Sequence, residues 1–149
     1  MIPFTVSTAK NAFFDRSAVL NAVTRAERQV LSKFGAYVRT AARTSIRRRI
    51  RPSLPGQPPS SHTGLLRNFI FFVYDARRHS VLVGPVRLHQ KAGEVPATLE
   101  YGGTSAVFDR QLRRMRPIVI KARPYMRPAL SREQPKLPAL WANSVTRSG

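Results

Sequence analysis

Apolar side chains recur at three- and four-residue steps through Val19, Val23, Ala26, Val30, Phe34, Tyr37 or Val38, Ala41 and Ser45. This spacing puts them on one stripe of an amphipathic helix. Asp15 or Ser17 can cap its start, and the pattern carries it to about Arg49. Arg47, Arg48 and Arg49 then fall in the last turn, where cations complement the helix dipole. Arg25, Arg28, Arg39 and Arg43 lie largely off the stripe. Gly35 costs the helix about 1 kcal/mol relative to alanine, and it reads as a close packing contact. Ahead of the helix, Ile2 to Val6 fits a short strand with Phe4 and Val6 on one face.

The helical period stops in Arg-Arg-Arg-Ile-Arg and gives way to Pro52-Ser-Leu-Pro55-Gly56-Gln-Pro58-Pro59-Ser-Ser-His62-Thr63-Gly64. Proline and glycine at this density continue neither helix nor strand. Pro58-Pro59 favours a stiff, extended path. Residues 50–65 are therefore expected to form a long, partly rigid arm, and long ordered segments of this kind are commonly functional.

Beyond the arm, Phe69-Ile-Phe-Phe-Val-Tyr74 is almost all β-branched or aromatic and predicts a strand covered on both faces. A turn over 75–80, a return through Val81-Leu-Val83 and a stop at Gly84-Pro85 complete a hairpin. Its faces would be covered by the long helix and by a neighbouring subunit. Residues 86–95 are polar and read as loop. Pro96 to Tyr101 predicts a short helical turn closed by Gly102-Gly103. A second hairpin runs from a strand at 104–108 through a basic tip at 110–116 to a returning strand at Pro117–Lys121, with a turn of helix across the tip as the competing form. Ala122 to Tyr125 is extended because residues before proline avoid the helical region. A helix is expected from Pro128 to about Gln134, interrupted by Pro135 and Pro138. Leu137, Leu140 and Trp141 would pack a last helical segment. The expected fold class is α+β: one long N-terminal helix on a small, mostly antiparallel sheet, with a proline-rich arm and a short C-terminal helix. Its 149 residues suit one domain spanning 1–149.

Charge changes this picture. The chain carries 26 lysines and arginines against 7 acids, a formal net charge of +19. Arginine, which pairs bidentately with carboxylate or phosphate and keeps its charge when partly buried, supplies most of it. Such a chain binds polyanions at low salt, and the isolated monomer is not expected to be the working form. No segment has the length and unbroken apolarity of a membrane-spanning helix, and the N-terminus does not read as a secretory signal. The absence of cysteine excludes disulfides and thiol catalysis.

Signals for enzymatic chemistry are sparse. His62, His79 and His89 have no metal-ligand spacing. No acids form a close pair for acid–base work. Gly102-Gly103-Thr104 lacks the lysine and spacing of a phosphate-binding loop. Neither a catalytic residue, a metal nor a cofactor is expected. The nucleic-acid motifs are missing too, although Arg43, Arg47 and Arg48 could lie along phosphates, and Phe69, Phe71, Phe72 and Tyr74 could stack bases.

Three segments together carry a resemblance. They are Pro55-Gly-x-Pro-Pro-x-x-His62-Thr63-Gly64-x-Leu66-Arg67 after a long helix, Leu99-Glu100-Tyr101-Gly102-Gly103-Thr104, and Ala122-Arg123-Pro124-Tyr125-Met126-Arg127-Pro128-Ala129-Leu130. In this order and spacing the chain resembles the tail-completion and neck proteins of tailed double-stranded-DNA bacteriophages. The resemblance runs from the helix to Leu130. It implies a small α+β virion protein without catalytic activity, built as a ring, usually sixfold, around the DNA channel at the head–tail junction and assembled in the host cytoplasm. The implied partners are other copies of the chain, a head connector or adaptor protein, a tail terminator or tail tube protein, and the DNA passing through.

On this reading the ring and partner contacts fall to Arg43, Arg47, Arg48, Arg49, Arg51, Pro52, Leu54, Pro55, Pro58, Pro59, Arg67, Glu100, Tyr101, Arg123 and Tyr125. Arg67 would pair with Glu100. Gly102-Gly103 would admit a neighbouring backbone, and the 52–61 stretch would reach an adjacent subunit or ring. Arg110, Arg113, Arg114 and Arg116 would face the lumen or DNA. Six copies would carry a charge of about +114, which calls for counterions or acidic partners. The alternative expectation is a basic nucleic-acid-binding protein without enzymatic activity.

Overall fold

The computed structural model describes residues 15–86 and 95–145. The expected strand at Ile2–Val6 and all but the first and last residues of the 86–95 loop lie outside these. Along the chain come α1 (Arg16–Ser45), α2 (Leu65–Asn68), β1 (Ile70–Asp75), β2 (Ser80–Pro85), α3 (Val95–Tyr101), β3 (Gly103–Asp109), β4 (Arg114–Ile120), α4 (Met126–Glu133) and α5 (Leu137–Trp141), with a 3-10 turn at Gln134–Lys136. The fold is α+β, with the strands in two separate two-stranded antiparallel sheets.

Helix α1 starts where the capping rule places it: the Asp15 carboxylate accepts a hydrogen bond from Ala18 N at 2.9 Å. Ala26, Val30, Phe34, Val38, Ala41 and Ala42 form its buried stripe. Phe34, Val38, Ala41 and Ala42 meet Ile46, Leu66, Ile70, Tyr125 and Ala129 in one core cluster. Val19 and Val23, at the start of the stripe, stay exposed.

The helix ends at Ser45, four residues before the expected stop. Thr44 Oγ1 and Ser45 Oγ donate back to the carbonyls of Thr40 and Ala42, at 2.9 and 2.8 Å. Such back-bonding occupies carbonyl acceptors of the last turn and competes with continuation of the helix. Ile46 then adopts extended backbone and buries its side chain in the core, which swings the chain away from the helix axis. Arg47, Arg48 and Arg49 therefore lie beyond the helix, and the last turn holds Arg43 alone among the basic residues.

The two hairpins share one construction. Asp75 Oδ1 accepts from Arg77 N and Arg78 N, and Asp109 Oδ1 accepts from Gln111 N and Leu112 N. In each, the residue before the return strand has positive φ: His79 at 50° and Arg113 at 48°. Each aspartate thus closes a turn by mimicking a backbone acceptor. The second tip is a turn, and Arg114 and Arg116 lie within β4.

The described residues cover one face of β1–β2, the one toward α1, and leave open the face expected to meet a neighbouring subunit. Pairing runs from Ile70↔Pro85 to Asp75↔Ser80, so Phe72, Val81 and Val83 share the face toward α1. Phe71 (47% exposed), Val73 (58%) and Leu82 (54%) share the outward face. The β3–β4 ribbon is barer still. Its Phe108↔Met115 and Thr104↔Val119 pairs lie on one exposed face, where Val119 is 80% accessible. Val107↔Arg116 and Asp109↔Arg114 lie on the other.

Gly35 marks the close approach expected of it. A Cβ there would sit 2.6 Å from Val81 Cγ2 and 3.0 Å from Phe72 Cδ2. Overpacking of this sort costs about 1–3 kcal/mol, against a helix-propensity gain of about 1 kcal/mol. Gly35→Ala is thus expected to lower stability by about 1 kcal/mol in urea unfolding. A stabilised variant would mean that the α1–hairpin contact is looser than described.

Candidate assembly node and anion-binding surface

The first of the segments that carry the resemblance touches the third through Gly56 N and Ala122 O, and the second meets the third at Glu100. Its buried carboxylate accepts from Tyr125 N (2.8 Å), Met126 N (3.0 Å) and Arg127 N (2.8 Å). These are backbone donors at the start of α4, which have no partner inside the helix. A negative charge there also complements the helix dipole. Helix α3 therefore holds the start of α4 through one side chain. Leu99 O accepts from Arg123 N at 2.6 Å, which adds a backbone link between the same segments.

Arg123 reaches the other way. Its Nε donates to Ser53 O at 3.0 Å, and Gly56 N donates to Ala122 O at 2.9 Å. The arm is thus tied to the segment leading into α4. At its far end Ser61 N donates to Arg47 O at 3.0 Å, within a parallel bridge between Arg47 and Ser60. Arg49 Nε donates to Ser60 Oγ at 3.0 Å. Pro59 is fully buried and Pro58 half-buried.

The arm therefore does not project toward another subunit over its whole length. It folds back on its own chain because its backbone groups find partners at Arg47, Ala122 and Arg123. Ile50, Arg51, Pro52, Leu54 and Pro55 form its exposed outer rim.

Arg67 and Glu100 do not pair. Both carboxylate oxygens of Glu100 are taken by backbone donors, and Arg67 lines a separate concavity of about 190 Å³ with Arg43 and Arg48. The glycine pair is used within the chain as well. Gly102 has φ 80°, and a Cβ there would meet Ala122 N at 3.2 Å and Ile120 O at 3.3 Å. The close backbone is the chain's own strand β4. Tyr101 is exposed, with the Arg127 guanidinium 5.6 Å from its ring centre. Tyr125 is 1% exposed and belongs to the core. Arg110, Arg113, Arg114 and Arg116 are all exposed on the distal half of the second hairpin.

Two contacts had no pattern to announce them. Glu27 on α1 accepts from the Tyr74 hydroxyl at 3.2 Å and lies 3.0 Å from His79 Nδ1, tying the first hairpin to the helix. Arg39 Nε donates to Ile70 O at 2.7 Å, with its guanidinium 5.8 Å from the Phe71 ring centre. Both join residues more than thirty positions apart, so no local spacing signals them.

These contacts fix where the charge goes. Six of the seven acids lie in the described residues, and each is committed. Asp15, Asp75 and Asp109 close a helix or turn, Glu100 holds α4, Glu27 meets Tyr74 and His79, and Glu133 meets Arg132 and Lys136. Ion pairs reach few of the arginines, so the excess positive charge remains on the surface. No group of three or more His, Cys, Asp or Glu among the described residues could hold a metal, and no described helix is long and apolar enough to cross a membrane.

Glu100→Gln keeps the shape but removes the charge and one acceptor. It is expected to cost about 2–3 kcal/mol in denaturant unfolding, and retained stability would show that the α3–α4 link is dispensable. Burial, reinforced by the nearby Glu100 charge, pushes the Tyr125 phenol well above the ordinary tyrosine value. Partial burial, then Glu27, raise Tyr74 as well. Each phenol thus ionises at higher pH in the folded chain than in the unfolded one, where it ionises near pH 10, so their contribution to stability holds below about pH 10 and falls as pH rises further. Tyr125→Phe should flatten that alkaline fall, as read from melting temperature against pH. Comparison of the chain with protein-family models, curated proteins and solved structures finds no match.

Proposed function

We propose that this chain is a structural ring protein of a tailed-phage virion, placed at the head–tail junction, where it completes the tail and encloses the DNA channel. The observation that carries this reading is the apolar surface that the described residues leave open. Two-stranded ribbons are marginal alone in water, yet both hairpins present an apolar face that no described residue covers. Further copies of the chain would cover these faces and complete the sheets. Contacts among the three resemblance segments support the same reading: Glu100 holds the start of α4, and Gly56 N donates to Ala122 O.

The charge divides between two places. The distal ribbon, with Arg110, Arg113, Arg114 and Arg116, suits the lumen and passing DNA. The region from Arg43 to Arg51, with the outer rim of the arm, suits acidic surfaces of the connector or tail proteins. A lumen lined by every arginine would hold DNA by counterion release and impede its passage, so a division of this kind fits a conduit. The exposed distal arginines also favour a second reading, a nucleic-acid-binding protein that acts as a free chain.

Imaging of the head–tail junction in purified particles tests the first reading, and one ring of this chain at fixed copy number is expected there. Replacing Arg47, Arg48 and Arg49 together with Glu should block head–tail joining while leaving the circular dichroism spectrum unchanged. Normal infectious particles from that variant would sink the assignment of this surface. Absence from particles, with tight salt-dependent DNA binding by the monomer, would replace the ring reading with the second.

A further inference from the structure

The concavity at the end of α1 is built from parts distant in sequence. Arg43 comes from α1, Arg48 from the segment that leaves it, Ser61 and Thr63 from the end of the arm, and Arg67 and Asn68 from α2. Its walls are fixed by the chain's own contacts. The Arg47–Ser60 bridge and the Ser61 N to Arg47 O bond hold one side. On the other, Gly64, at φ 80°, opens α2, and its carbonyl accepts from Asn68 N at 2.9 Å. Ser61, Gly64 and Leu66 are buried around it. A site organised before binding loses little entropy when a ligand arrives.

No carboxylate lines this concavity. None of the three guanidiniums has a partner among the described residues, and the six described carboxylates are occupied elsewhere. Three like charges around one hollow repel each other unless an anion sits between them. The donor set defines that anion. Each guanidinium offers a rigid fork, and the serine and threonine hydroxyls and the asparagine amide add single donors. A carboxylate has two oxygens and one charge, which a single fork satisfies. A phosphate with three free oxygens and two charges matches three arginines lining one hollow far better.

We propose that the concavity lined by Arg43, Arg48 and Arg67 binds a phosphate dianion, as free phosphate or as the terminal group of a phosphomonoester. The site is argued from these arginines and does not rest on the ring reading. Loss of phosphate binding would leave that reading in place, and absence of the chain from virions would leave the site in place.

The test is calorimetric titration of the full chain at high, fixed ionic strength, which screens nonspecific binding. The probes are inorganic phosphate, glycerol 3-phosphate, dimethyl phosphate and acetate. Saturable binding of inorganic phosphate at one site per chain is expected. Glycerol 3-phosphate should tighten as pH rises through about 6, where a monoester gains its second charge. Arg43→Gln and Arg67→Gln should each weaken binding about tenfold or more, and Arg110→Gln, on the distal hairpin, should leave it unchanged. Arg67 is exposed, so Arg67→Gln decides the matter if Arg43→Gln unfolds the chain. Competition by glycerol 3-phosphate would mark the ligand as a phosphorylated end, and binding of inorganic phosphate alone would mark it as the free ion. Equal binding of acetate or dimethyl phosphate, or unchanged affinity in both glutamine variants, would overturn the site.

Discussion

The structure depends on one buried carboxylate. Glu100 holds the first three backbone donors of the segment that begins at Tyr125, and so fixes α4 against α3. Tyr125 is thereby kept in the core beside Phe34, Val38 and Ile70. A buried charge is tolerable only when its hydrogen-bonding capacity is filled, and three aligned N–H groups fill it. Because Arg123 lies immediately before this junction, the same geometry positions its guanidinium to hold Ser53, and through it the arm. Long helix, arm, second hairpin and C-terminal helices therefore share one junction.

That economy of acids shapes the surface. A chain with 7 carboxylates and 26 basic side chains cannot pair them one to one. Of the described acids, four accept from backbone donors at a turn or helix start, Glu27 ties the first hairpin to α1, and Glu133 meets Arg132 and Lys136. Exposed arginines are consequently left over much of the surface, among them a group around the end of α1 and another on the distal ribbon. Their mutual repulsion disfavours the compact chain and weakens as salt rises. The outward faces of both hairpins likewise hold apolar area in water among the described residues, which the hydrophobic effect disfavours. Among the described residues, unpaired positive charge and apolar area are thus both left at the surface.

The periodicity of α1, the aspartate cap, both hairpins, the short helix before the glycine pair and the proline-marked C-terminal pieces were all legible in the sequence. Each depends on neighbours within a few positions: an apolar step of three or four, a run of β-branched residues, a proline that removes a donor. Gly35 was legible for the same reason, since a glycine inside a strong helical pattern needs a packing cause. Helix length was misjudged at Arg47–Arg49 because composition continued to favour helix there. The stop came from hydroxyls bonding back to carbonyls and from Ile46 finding the core.

By itself, then, the sequence determined the fold class, the order of its elements, the large positive charge and the scarcity of acids to balance it. Only the tertiary structure decided who pairs with whom. Glu100 and Arg67 were chosen as partners because both are charged and acids are few, but charge type carries no distance. The backbone donors at Tyr125, Met126 and Arg127 captured the carboxylate because α3 and α4 pack side by side. The arm looked free because prolines disfavour regular structure, and it folded back because Pro59 found a buried place and Arg47, Ala122 and Arg123 offered it hydrogen bonds. Local pattern sets what each segment can become. Which surfaces remain open for partners follows from contacts among segments far apart in the chain.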